Sequence, residues 1–372
     1  MLTIVHLADL HLGASYSFLP AEKAAIARES QFTVLQHAID YANSQFANAV
    51  LIAGDLFDQP KPPSEIVKRT FSILSQAHCC VLISPGNHDY LCADSPYLTA
   101  QRPEQVYVFT SPVLTSFPIS DRAVVWGAAF CDQGASIPLD VKLVEDRPNL
   151  LLVHSDLKTH SGYNPLTAAD LKTSGFLYAA LGHNHEYSGM RRAGNTVYAC
   201  PGSPVSVGTD DTGRKGFLFG QLAEELKFRF IPSGGFECHS YKIDFTTLAS
   251  DRMLEQALTA LVPKNHDKVC ASVELVGERS YEPNFPALRQ ALDAVFLHAQ
   301  LTDHTTTRRS VWRYLNDDDL RGGVTRSYRA KMDEAVSEEE KSRLMLSLRY
   351  ALAALDGDAL PSFDNNASGN II

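Results

Sequence analysis

Five apolar runs in this 372-residue chain end in residues that can hold a metal ion or move a proton. Thr3 to Ala8 runs into Asp9 and His11. Ala49 to Ala53 breaks at Gly54 and delivers Asp55, with Asp58 close behind. Cys80 to Ser84 leads through Pro85 and Gly86 to Asn87 and His88. Asn149 to Val153 ends at His154, and Phe176 to Leu181 ends at Gly182, His183, Asn184 and His185. Taken singly, each has a plain structural reading: Asp9 or Asp58 as a helix cap, Asn87 as a turn residue after Pro-Gly, His154 as a hydrogen-bonded, half-buried ring. Five coincident endings are not explained that way in a chain with only 13 His. Asp, Asn and imidazole together suit Mn, Fe or Zn, whereas all-oxygen sites suit Mg and Ca. Asp9, His11, Asp55, Asn87, His154, His183 and His185 are enough donors for two ions about 3.5–4 Å apart that share one carboxylate. Water held by such a pair ionises near neutral pH, and both ions neutralise phosphoryl oxygens during in-line attack. His88, outside the donor set, is left to protonate a leaving oxygen or stabilise the transition state.

These donors need a scaffold that brings strand ends together. Short aliphatic runs closed by Gly read as buried parallel strands, and in open α/β sheets functional groups gather beyond the strands' carboxyl ends. Between the runs lie helical patterns: about 21–46, with Ile26, Phe32, Leu35, Ile39 and Phe46 near a helical repeat, and a second helix capped by Ser64. Short strands are expected near 106–109 and 124–127, and a helix near 166–171. Beyond His185 the stretches NTVYACPGSPV, GRKGFLFGQL and LKFRFIP read as antiparallel hairpins, with Gly202 and Ser203 in a hairpin turn. The fold class is therefore α/β, two packed mixed β-sheets flanked by helices.

This architecture is expected over residues 1–245. A smaller α+β cap domain follows over 246–310, with a helix at 253–261, a strand at 269–276 and a helix at 286–297. A helical region covers 311–360, including a helix at 337–355 with Ser337 as N-cap and Glu338 to Glu340 in its first turn. Residues 361–372 have the composition of a disordered tail.

Composition sets bounds. With 45% hydrophobic and 20% charged residues the chain is ordinary for a globular protein. No apolar run approaches the ~20 residues of a membrane helix, and MLTIVHLADLH reads as a first strand, not a signal peptide. Seven scattered cysteines without a C-x-x-C pair point to reduced thiols and a cytoplasmic setting. Net charge is −10, a poor balance for gripping a phosphate backbone without a local basic patch or a basic partner. The one basic stretch, Arg308 to Lys331, is a solvated face or a DNA or partner surface. His6 is expected in the core or behind the site, and His160 in a solvated loop.

Together, D-x-H, G-D-x-x-D, G-N-H-D, the strand-end His154 and G-H-x-H resemble the calcineurin-like metallophosphoesterases, in order over residues 1 to about 205. HLADLHLG, GDLFDQPKPPS, GNHD and YACPGSP followed by GRKGF resemble the SbcD-type DNA repair exonucleases. The resemblance implies that Asp9, His11, Asp55 and His185 hold one metal and Asp55, Asn87, His154 and His183 the other, with Asp55 bridging. It further implies Mn²⁺ (Fe or Zn being the other fitting ions), DNA ends as substrate, an SMC-like ATPase partner and room for a homodimer. Two features depart from the pattern. Asp58 stands where many relatives have His, and SDLKTH after His154 does not follow the usual nuclease sequence. A phosphoesterase for nucleotides or phosphomonoesters, and a non-catalytic metal-bound subunit of an ATPase complex, are the competing readings.

Overall fold

A computed structural model describes residues 2–157, 162–263, 266–307 and 310–357. His160, Arg308, Arg309 and the 361–372 tail lie outside the described residues. Compactness divides the chain into two units: Met1–Ile243 with Ser250–Val276 and Pro283–His304, and Asp244–Ala249 with Gly277–Glu282 and Thr305–Ile372.

The first unit begins with β1 (Leu2–Leu7), α1 (Ala21–Ser44), β2 (Ala49–Ile52), α2 (Ser64–Leu74), β3 (Cys80–Ile83), α3 (Pro96–Thr99) and β4 (Val106–Val108). These four strands run parallel, in register Val5↔Val50, Val50↔Val81 and Val81↔Val106. A second sheet follows from β5 (Thr115–Ile119), β6 (Ala123–Gly127), β7 (Asn149–His154), α4 (Ala168–Thr173), β8 (Tyr178–Gly182), β9 (Arg191–Ala193) and β10 (Thr196–Ala199). The chain then returns to the first sheet as β11 (Gly216–Leu222), antiparallel to β1, and β12 (Leu226–Pro232). The strand orders are β12-β11-β1-β2-β3-β4 and β5-β6-β7-β8-β10-β9. This is the expected α/β fold of two mixed sheets flanked by helices.

Period-two alternation sorts the central strands. Val5, Leu7, Val50, Ile52, Val81 and Ile83 pack against Phe32, Leu35, Ile39 and Phe71 of the helices. Ile4, Leu51 and Leu82 face the other way and meet Val125, Leu150, Leu152 and Tyr178 of the second sheet. At about 1.5–3 kcal/mol per buried aliphatic or aromatic side chain, these two layers hold the sheets together and bring β1, β2, β3, β7 and β8 to one edge. His6 lies in the same interlayer, fully buried, with Nδ1 2.8 Å from the Tyr178 hydroxyl and Nε2 3.1 Å from the Leu181 carbonyl.

The first unit continues with β13 (Glu237–Asp244), α5 (Asp251–Leu261), β14 (Val269–Val276), α6 (Phe285–Val295) and β16 (His298–Asp303), once β15 (Glu278–Arg279) is set aside with the second unit. Strands β13, β14 and β16 form a small sheet. In the second unit β15 pairs with β17 (Thr306–Thr307), and α7 (Leu320–Glu334) packs on α8 (Glu338–Asp356). Among the described residues no helix is long and apolar enough to cross a membrane, and all seven cysteines are free thiols.

Several sequence expectations shift. Ile26 and Phe46 are exposed: Ile26 lies off the buried face of α1, which is Ala24, Ala27, Gln31, Phe32, Val34, Leu35, Ala38, Ile39 and Ala42, and Phe46 lies past the helix end. Pro63, not Ser64, occupies the N-cap of α2, and no side chain caps it. Thr167 begins α4 with a reciprocal capping box to Asp170. Gly202 and Ser203 are not in a hairpin turn: β10 and β11 belong to different sheets, so the 200–215 segment is a crossover. Strand β10 also runs parallel to β8 and is antiparallel only to β9. The basic stretch carries α7, a helix its charge pattern hid.

Candidate metal centre

Each donor sits at or just past the end of a strand, and four of the seven sit in a sharp bend. Asp9, His11, Asp55 and His183 have φ of 54°, 48°, 51° and 84°, in a region that costs a non-glycine residue on the order of 1–3 kcal/mol. Only eight non-glycine residues among those described adopt positive φ, and four of them are these. Hydrogen bonds hold the bends. Asp9 N donates to the Gly54 carbonyl at 3.1 Å and His11 N to the Asp55 carbonyl at 2.9 Å. His183 N donates to both Asp9 carboxylate oxygens at 3.0 Å. Glycine is needed where backbones close on the donors. A Cβ on Gly54 would lie 2.2 Å from His154 Nδ1, and one on Gly86 would lie 2.2 Å from Asp55 Oδ1.

The bends bring all seven predicted donors together. Single ligand atoms of Asp9, His11 and His185 lie within 4.8 Å of one another, as do those of Asp9, Asp55 and His154. His154 Nε2 is 2.9 Å from Asn87 Oδ1, 3.3 Å from Asp55 Oδ2 and 3.3 Å from His183 Nδ1. His183 Nδ1 is in turn 3.1 Å from Asn87 Oδ1. The far nitrogen of His154, Nδ1, donates to the Ala53 carbonyl at 2.9 Å. A carbonyl only accepts, so Nε2 is the nitrogen left to bind.

Around this set stand three residues with other tasks. Asp58 Oδ1 meets His11 Nδ1 at 3.2 Å, which turns the other ring nitrogen inward. Asp9 makes no helix cap; its carboxylate serves His183 N. His88 is exposed, its ring edge-on to that of His11 at 4.6 Å, and holds Nδ1 3.2 Å from the Asp58 carbonyl. Sequence reasoning assigns Asp89 no task, yet this buried carboxylate accepts from the N–H groups of Leu56, Phe57 and Gly86 and from the Tyr97 hydroxyl. It locks the Asp55 turn to the Asn87 turn. Its only sequence signal is its place at the end of G-N-H-D.

The electrostatics ask for cations here. Burial works against an ionised Asp55, but the imidazoles of His154, His11 and His88 hold its carboxyl below the usual range. Burial likewise pushes His154 down, and the Asp55 and Asp9 carboxylates overcome it, carrying the imidazole up to about 9. Protonated imidazole thus stands in for positive charge among buried carboxylates. His11 Nε2, buried and without a hydrogen bond, lies 3.7 Å from Asp55 Oδ2. An orphaned imidazole nitrogen, shared carboxylates and a mixed N/O donor set fit divalent metal ions.

Comparison with known proteins agrees with this geometry. The family model for calcineurin-like phosphoesterases matches residues 2–187. The chain is similar to an uncharacterized metallophosphoesterase, YhaO, of Bacillus subtilis, at 28% identity over 86% of this chain and 82% of the relative. It is similar to the DNA double-strand break repair protein Mre11 of Aeropyrum pernix, at 30% identity over 55% of this chain and 54% of that protein. The SbcD component of the nuclease SbcCD of Escherichia coli matches at 32% identity over 23% of this chain and 21% of its own length. The chain thus spans about half of that Mre11 and about a fifth of that SbcD. With the donor cluster at the strand ends and the family match across it, the chain belongs to the calcineurin-like phosphoesterases and is a metal-dependent hydrolase of phosphoesters.

Proposed function

We propose that this phosphoesterase is a Mn²⁺-dependent phosphodiesterase acting on DNA ends in repair, in the cytoplasm, together with an SMC-like ATPase. In this reading Asp9, His11, Asp55 and His185 hold one ion. Asp55, Asn87, His154 and His183 hold the other, and Asp55 is shared. The observation that carries it is the convergence of these side chains from both sheets around the orphaned His11 Nε2. The likeness to Mre11 and to SbcD supports the DNA substrate. The α+β segment after residue 245 acts as the cap, and a homodimer is part of the same proposal.

Bound ions supply an acidified water and neutralise phosphoryl oxygens. The protein does the rest. His88 donates Nδ1–H to the Asp58 carbonyl, which leaves Nε2 to carry a proton to the leaving oxygen. Asp58 fixes the ring of His11 while its own carbonyl fixes His88. Its two contacts give it a positioning task. Tyr163, 4.9 Å from the His183 ring, walls one side.

A second reading, a phosphoesterase for small nucleotides or phosphomonoesters, draws on the basic stretch. Arg313 and Arg321 go to Asp356, Arg326 to the carbonyls of Leu315 and Asp317, and Arg329 to Asp333. Cations spent within the second unit offer little grip on a phosphate backbone. Purified chain with Mn²⁺ should be assayed on labelled single- and double-stranded DNA and on a small aryl phosphodiester. Chelator-sensitive DNA cleavage supports the nuclease. Turnover of the small ester alone supports the second reading, and no turnover of either supports a non-catalytic subunit.

A further inference from the structure

The crossover between the sheets, residues 200–215, buries an ion pair outside the seven donors. Lys215 is 2% exposed and Asp211 8%. Lys215 Nζ donates to Asp211 Oδ1, to the Ser203 hydroxyl at 2.9 Å and to the His185 carbonyl at 3.5 Å. The other carboxylate oxygen of Asp211 accepts from the Ser203 hydroxyl at 2.8 Å and from Val207 N at 3.0 Å, and lies 3.5 Å from His185 Nδ1. Ser203 N also donates to the His185 carbonyl at 3.0 Å, and a Cβ on Gly202 would come within 2.7 Å of that oxygen. His185 is thus gripped twice, at its main-chain carbonyl and at one ring nitrogen.

A lysine taken out of water needs a strong reason to be there. Replacing a buried ion pair with apolar groups is often neutral or stabilising, so stability alone does not explain this one. Its contacts supply the explanation, since every partner that Lys215 and Asp211 share leads to His185. We infer that Lys215 and Asp211 are positioning residues, a buried pair that fixes the ring and carbonyl of His185 so that its Nε2 meets a metal ion. Asp211 takes Nδ1–H and so sets the tautomer, as carboxylates behind metal-bound histidines do. Lys215 keeps that carboxylate from turning into the metal centre as a competing ligand and ties it to the carbonyl of the residue it serves. This gives a task to the conjunction of P-G-S and G-R-K-G that a hairpin reading leaves idle, and it rests on the metal-centre reading above.

The test titrates the metal-free full chain with Mn²⁺ by calorimetry and follows the electron paramagnetic resonance of the ions. Wild type is expected to bind two ions with the spectrum of a coupled pair. Asp211→Asn should weaken one of them by about 10–100-fold while the other binds as before, so that the spectrum becomes that of isolated Mn²⁺. The double variant Asp211→Asn/Lys215→Met removes both charges and should melt near wild type without metal, yet keep the weakened ion. Wild-type binding of both ions by Asp211→Asn overturns the inference, as does a double variant that regains both stability and the second ion. A wild-type chain that binds no Mn²⁺ sinks the metal-centre reading itself, whereas wild-type-like binding by the variants sinks only the role of the pair.

Discussion

The tie at His6 makes the docking of the two sheets sensitive to acid. Its Nδ1 accepts from the Tyr178 hydroxyl and its Nε2–H donates to the Leu181 carbonyl, so the ring is a neutral tautomer with both nitrogens used. Burial lowers its pKa from 6.5 to about 3, against a smaller opposing contribution from the Leu181 carbonyl. Between those values the unfolded chain takes up a proton that the folded chain refuses. Stability from this group is therefore complete above pH 6.5 and is lost as the pH falls towards 3. Each unit of the window is worth about 1.4 kcal/mol, so the loss between pH 8 and pH 4 is about 3 kcal/mol. Urea unfolding in chelator, which removes ions from the measurement, should show this when wild type is compared with His6→Gln. The variant should be less stable at pH 8, and its deficit should shrink or reverse as the pH falls to 4. Parallel stability curves for the two proteins would refute the assignment of a neutral, proton-refusing ring.

Other perturbations reach the site from different sides. His88→Ala should leave Mn²⁺ stoichiometry unchanged while turnover of a phosphodiester falls by about 10²–10⁴-fold, read by calorimetry and initial rates on one preparation. Gly86→Ala drives a methyl group into Asp55, at 2.2 Å from Oδ1, and should weaken Mn²⁺ binding by about 100-fold, equivalent to about 2.7 kcal/mol of strain. Asp89→Ala strands the N–H groups of Leu56, Phe57 and Gly86 and the Tyr97 hydroxyl. It should cost about 4 kcal/mol or more, against about 1 kcal/mol for Tyr97→Phe, and chemical denaturation separates the two. In the second unit, Asp356→Ala frees Arg313, Tyr314 and Arg321. That should cost about 1 kcal/mol and appear as faster hydrogen exchange at the end of α8.

The parts of the site that can be read from the chain are those fixed locally. Asp55, Asn87 and His183 stand at the ends of short runs whose neighbours on both faces are apolar, and Gly54, Gly86 and Gly182 mark the bends beside them. What cannot be read depends on partners remote in sequence. Asp58 acts through His11, 47 positions away, and nothing near Asp58 distinguishes that from a cap. The same distance problem hides the crossover. The β-rich stretch around Tyr198 looks like one arm of a hairpin, but its neighbour is β8, and the next strand is claimed by β1. Ser64 satisfies every preference for a cap, yet Pro63 ahead of it already has the extended geometry a cap requires. Ile26 and Phe46 fit a helical repeat drawn through large side chains, whereas the buried stripe of α1 includes Ala24, Ala27, Ala38 and Ala42 beside Phe32, Leu35 and Ile39 and leaves Ile26 outside it. In α7 two glycines and a dense charge pattern mask the helix.

The position of β1 in its sheet has a consequence for how the protein is made. It pairs with β2, the next strand of its sheet to be made, but its other edge waits for β11. At ~5–20 residues per second the wait is roughly ten to thirty seconds. During it, the nascent chain presents an unfilled ribbon of amides flanked by apolar side chains, the kind of edge that templates aggregation. A truncation ending where the family match ends, at residue 187, would keep every donor and still leave that seam permanently open.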